Sequence, residues 1–100
     1  MAEKVIVYWR DIPAQVIVKA GRKAAKRQLS ERFEQAIDRA AMRARLTGTD
    51  AYLEQWRRSE PAPCSDDLEA EAAAAAEALE AEYTQERLRE LVANGGNART

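Results

Sequence analysis

The sequence predicts a small α+β domain, with an antiparallel sheet of two or three strands covered by helices. Three observations point to it. Val5-Ile6-Val7-Tyr8-Trp9 and Val16-Ile17-Val18 are β-branched and aromatic runs separated by Asp11-Ile12-Pro13. Apolar residues recur at helical spacing from Phe33 to Ala44. A segment rich in Ala and Glu then fills residues 69–82. The chain has 100 residues, the size of one domain, and such a chain buries roughly 65% of its unfolded surface.

Taken in order, residues 3–10 and 15–19 form a β-hairpin. Five large apolar residues in a row do not alternate with polar ones, so the first strand is expected to be covered on both faces or central in its sheet. Pro13 falls in the connection, where its missing N–H removes no ladder bond. A central strand needs a second neighbour, and residues 52–58 supply one, giving the order 2-1-3. The same stretch also reads as a short helix capped by Thr49 or Asp50. Gly21 ends the second strand.

Arg22, Lys23, Lys26 and Arg27 follow within six residues. On a helical turn they pair at i,i+4 into one positive patch, which by itself costs stability. Helix 30–46 has Ser30 as its N-cap, a stripe of Phe33, Ala36, Ile37, Ala40 and Ala44, and Gly48 as its left-handed terminator. Ser59 to Cys64 is a break with Pro61 and Pro63. Helix 66–93 begins at Ser65. It carries Leu68, Ala72, Ala75, Leu79 and Tyr83 on one stripe and Leu88, Leu91 and Val92 on another side. Either the helix breaks at Thr84, which caps a second helix, or one long helix offers its second face to another molecule. Residues 1–60 thus form a hairpin-plus-helix core, 61–94 a helical segment of the same domain, and 95–100 a flexible tail.

Composition narrows the chemistry. There is no histidine and one cysteine, Cys64. Neither a Ser-His or Cys-His nucleophile pair nor a structural zinc site can be assembled from such a set. The expectation is a non-enzyme with no cofactor and no metal. MAEKVIVYWRD shows no basic-then-apolar leader pattern, and no apolar run reaches membrane length, which predicts a cytoplasmic protein without membrane attachment. The net charge of −1 hides an asymmetry: residues 1–58 carry +6 and residues 59–100 carry −7. The two halves either face each other or serve an electrostatic partner.

Tyr8-Trp9-Arg10-Asp11-Ile12-Pro13-Ala14-Gln15-Val16, Gly21-Arg22, Arg32-Phe33, Ala36-Ile37-Asp38 and Ala40-Ala41-Met42-Arg43 resemble the small bacterial family labelled "virulence factor". A related domain forms the tail of a larger conserved virulence factor. The resemblance covers about residues 3–60 and carries no catalytic residue with it. Stand-alone relatives are associated loosely with one-carbon metabolism, which implies a folate-like ligand as one alternative.

The candidate site gathers Trp9, Arg10, Asp11 and Gln15 at the hairpin mouth with Lys19, Arg22, Lys23, Lys26 and Arg27. If these converge, Arg10, Lys19, Arg22 and Lys26 hold an anion while Trp9 stacks on a flat ring. The opposing reading makes Trp9 a core residue and Arg10–Asp11 a turn ion pair. Three functions follow. The first is an accessory protein that binds a partner protein through the sheet end and the Leu88, Leu91, Val92 face. The second is an anion or cofactor carrier. The third, weaker because the chain is slightly acidic overall, is a nucleic-acid binder using residues 19–27.

Overall fold

The computed structural model describes residues 2–46, 48 and 50–98. Thr47 and the Thr49 cap, like the last two residues of the tail, lie outside them. The described residues form an α+β fold of five strands and four helices.

Strand β1 (Ala2–Trp9) is central, one of the two arrangements its unbroken apolar run implies; the other, a helix on each face, does not occur among the described residues, where the helix Leu68–Glu82 is the one packed on β1. On one side it pairs antiparallel with β2 (Ile12–Ala20) through a two-residue turn, Arg10-Asp11. The turn therefore sits one residue earlier than the Asp-Ile-Pro break. Arg10 takes the left-handed φ of +55° that such a turn demands. Pro13 lies inside β2 opposite Tyr8, at a register shift between Val7 and Tyr8. A bulge tolerates the missing N–H. The carbonyl of Ala14 there accepts from the Leu29 amide at 3.0 Å.

Residues 22–27 are not helical. Gly21, at φ +62°, and Arg22 turn the chain into β3 (Lys23–Gln28), an edge strand on β2. Lysine and arginine on an edge discourage pairing with another sheet, so the basic run does have a folding rationale.

The other side of β1 is tiled by two short strands. β4 (Trp56–Arg58) pairs with Val7–Trp9, and β5 (Ala62–Cys64) pairs with Ala2–Lys4. Between them Ser59 completes the ladder. Its hydroxyl accepts from the Ile6 amide and its amide donates to the Ile6 carbonyl, both at 2.9 Å. The order β2-β1-β4 is the 2-1-3 arrangement of the sequence. Stretch 52–58 divides between its two readings: helix α2 (Asp50–Glu54) comes first, then β4. β5 contradicts the expected break at 59–64. Pro63 is tolerated because its strand lies at the sheet edge.

Helix α1 (Glu31–Arg43) buries Phe33, Ala36, Ile37, Ala40 and Ala41. It stops before residue 46, because Arg45 at φ +61° ends it: Arg45 donates to the Met42 carbonyl and Leu46 to the Ala41 carbonyl. Gly48 is not needed for that turn. The Ser30 side chain does not cap its own helix. It and its amide instead donate to the Glu80 carboxylate at 2.9 and 2.6 Å.

The C-terminal helix breaks where Thr84 allows it. α3 (Leu68–Glu82) is capped by Asp67, two residues beyond Ser65, and α4 (Gln85–Ala93) by the Thr84 hydroxyl, which accepts from the Arg87 amide at 3.2 Å. α3 lies across β2 and β3, burying Ala72, Ala76 and Leu79 in the same core as Val16, Val18 and Ala25. α4 packs on α1. Gly95 closes α4 in the left-handed region, its amide donating to the Val92 carbonyl. Gly95 and Gly96 are buried, so the chain through residue 98 is not a loose tail.

Candidate interaction surface

The hairpin mouth is closed. Trp9 has no exposed surface, and its Nε1 donates to the Tyr52 carbonyl at 3.0 Å. Tyr52 packs on its ring at 5.5 Å between centroids. The core reading of Trp9 holds, and its ring offers no face to a flat ligand. Arg10 reaches over that ring at 5.3 Å, with Nε donating to the Gln55 side chain and Nη1 to the Gly95 carbonyl, both at 3.0 Å. Asp11 pairs with Arg57 at 2.9 Å rather than with Arg10, and also accepts from the Ala98 amide at 2.6 Å. These charges hold the molecule together at the point where hairpin, β4 and the chain after α4 meet.

The expected anion cluster does not form. Arg10 lies in the β1–β2 turn, while Lys19 and Arg22 lie at the opposite end of β2. Seven residues of strand put them about 23 Å apart. The basic run itself divides by alternation. Lys23 and Arg27 share the α3 side of β3 with buried Ala25, and Arg27 borders Glu77 and Glu80. Lys26 points to the other side, opposite Ile17. Leu88 and Leu91 are each only 3% exposed and belong to the main core, and Val92 packs against it. The second apolar face of the C-terminal helix is thus spent on α1.

What remains accessible is the sheet face turned away from α3. Register places Val5, Val7, Gln15, Ile17, Lys19, Lys26 and Arg58 on it. Val5 and Ile17 are buried yet stand outside the main core. Long flanking side chains can cover such residues with their stems. At one end the face opens into a shallow groove of about 410 Å³ lined by Val7, Gln15, Trp56, Arg57 and Arg58. Trp56 is half-buried and meets Tyr52 edge to face at 6.3 Å. Arg57 lies over the Tyr8 ring at 4.6 Å. Arg58 makes no described ion pair and opposes Val7.

A family model described as "Virulence factor" matches residues 7–92. The chain belongs to the virulence factor family. The match runs from the middle of β1 to the last turn of α4, so it takes in the Ala/Glu-rich helices that the resemblance over residues 3–60 left aside. No curated protein and no solved structure matches the chain.

Of the residues picked from sequence, this virulence factor domain places Gln15, Lys19 and Lys26 on the accessible face, and only Gln15 in its groove. Trp56, Arg57 and Arg58 were missed as site residues. Their Trp-Arg-Arg composition was the available signal, since Trp and Arg dominate binding surfaces. Two tyrosines respond to their surroundings. Burial pushes the Tyr52 phenol up, aided by Asp38 and Glu34, and burial does the same to Tyr83. Both phenols hold their protons near neutrality. Among the described residues no three His, Cys, Asp or Glu side chains are grouped to hold a metal, and no helix is long and apolar enough to cross a membrane.

Proposed function

We propose that this domain is a non-catalytic accessory protein of the bacterial cytoplasm that binds a partner protein through the open sheet face. The observation that carries the reading is the β4 triplet, Trp56, Arg57 and Arg58, set around Val7 and Gln15 in a groove that no helix lines. An indole beside the guanidinium of Arg58 is the kind of side-chain set that contributes most at protein interfaces, while the Arg57 guanidinium is held by Asp11 and the Arg10 carbonyl. Lys26 and Arg58 make the face basic where they stand, whereas Glu3 opposes Lys19 at the far end, so the partner surface is acidic near Lys26 and Arg58.

The test uses the whole chain as bait in native bacterial cytosol at low and moderate salt, beside the Arg58→Glu variant. Arg58 is exposed, so the variant folds. A stoichiometric protein retained at moderate salt by the native chain and lost by the variant is the expected result. Equal capture by both would overturn the reading. So would recovery of nucleic acid alone, released by salt, which would move the function to charge-driven binding of a phosphate backbone.

A further inference from the structure

Besides the sheet-face groove, Trp56 borders a second pocket, of about 320 Å³, beside α1 and α2. Tyr52 and Trp56 form two of its walls. Their rings stand at 89° to one another, with 6.3 Å between centroids. Trp9 fixes this corner: its ring packs on Tyr52 at 5.5 Å and its Nε1 donates to the Tyr52 carbonyl at 3.0 Å. Leu29 and Ile37, both buried, also line the pocket. Tyr52 and Trp56 are only half-buried, so each keeps surface that an occupant can reach.

The remaining wall belongs to α1. Glu31, Glu34 and Asp38 line it at spacings of three and four, one stripe of the helix. That spacing holds the Cβ atoms of Glu34 and Asp38 about 5–6 Å apart. Glu31 and Glu34 suit the positive end of α1, but Asp38, two turns in, has no such reason to be acidic. Both Asp38 and Glu34 help to raise the Tyr52 phenol, so their field reaches the aromatic corner. No lysine or arginine lines the pocket, and none of the three carboxylates makes a hydrogen bond or ion pair among the described residues. Nor are these carboxylates grouped closely enough to hold a metal ion. The pocket therefore joins negative charge to aromatic surface without the geometry of a metal site.

We infer that this pocket binds an organic cation of the methylated-ammonium type, its methyl groups in the Tyr52–Trp56 corner and its charge facing Glu34 and Asp38. Aromatic faces attract such a cation through the ring quadrupole. Its charge is spread over methyl groups, so it leaves water readily and packs as an apolar body. Exposed carboxylates then act through their field, with no fixed hydrogen bond required. A primary ammonium is a compact, strongly hydrated charge and loses more on entering an aromatic corner. A neutral apolar molecule gains nothing from the carboxylates. The same cation is carried by free small molecules and by a methylated lysine side chain. The three carboxylates lie outside the sheet-face groove, so the site stands independently of that reading.

The test is an NMR titration of the whole chain. The probes are choline, its neutral tert-butyl isostere, ethanolamine, and a blocked peptide carrying trimethyllysine. Expected are shifts at Tyr52, Trp56 and residues 31–38 with choline, weaker ones with the isostere and ethanolamine, and an affinity for choline lowered about tenfold in Glu34→Gln/Asp38→Asn. Both substituted side chains are exposed, and unchanged thermal unfolding verifies that the variant is folded. Equal binding of the isostere or of ethanolamine, an affinity unaffected by the double substitution, or an absence of shifts at the pocket would each overturn the inference. Tighter binding of the peptide than of choline would uphold it and place the cation on a protein; the reverse order would uphold it and make the ligand a free small molecule.

Discussion

Gly96 has φ +100°, and a Cβ on it would stand 2.8 Å from the Trp9 ring. The residue that crosses the face of the indole must therefore lack a side chain, and no L-residue is at ease at that φ. Gly96→Ala should cost about 2–3 kcal/mol, read as a lower urea midpoint with an unchanged slope. Tyr83 offers a pH test at the same scale. Its ordinary value is 10.0, and burial raises it in the folded chain. The folded state then holds the phenolic proton to higher pH than the unfolded state does. That contribution is whole below about pH 10 and is lost as pH rises through the folded value. Tyr83→Phe keeps the ring beside Phe33 and under Arg87. Its stability should fall less steeply above pH 10 in denaturation series.

Among the elements, β3 shows how a tertiary role overrides a local pattern. Arg22, Lys23, Lys26 and Arg27 suit a helical turn by spacing, but Gly21 reverses the chain and β2 offers a free edge, so the run becomes a strand. Its outer backbone groups are then exposed to any passing strand, and the charges keep strands away. Lys26→Val should leave the fold intact and produce concentration-dependent association in sedimentation experiments, whereas the native chain should sediment unchanged over the same range. Helix starts teach a similar lesson. Thr84 caps α4 as its sequence indicates, whereas Ser30 gives up capping α1 to bind Glu80, 50 residues away, which also pairs with Arg32 at 3.2 Å. Local capping signals are reliable until a carboxylate from another element comes within reach.

At the scale of the whole molecule, the chain after α4 returns to the first turn. The Gly96 carbonyl accepts from the Asp11 amide at 2.9 Å, and Gly95 and Ala98 bond to Arg10 and Asp11. A chain ending at Asn94 should lose about 3 kcal/mol, from these hydrogen bonds and the uncovered Trp9 ring, and its intrinsic fluorescence should shift to the red. The charge asymmetry resolves at this scale too. Arg32–Glu80 joins the basic half to the acidic half, while Arg57–Asp11 and Arg87–Glu82 each stay within one half. Much of the basic surface, Arg39 and Arg58 included, thus makes no ion pair among the described residues. Hydrophobic period, caps and glycines act over a few residues, so the α+β class and the α1 stripe were legible along the chain, while the division at Thr84 was one of two readings until the fold chose it. That Trp9 is core and that Leu88 and Leu91 pack into the core beside α1 emerged only from the folded chain. Those outcomes depend on which distant surfaces come together, and neither period nor propensity encodes that pairing.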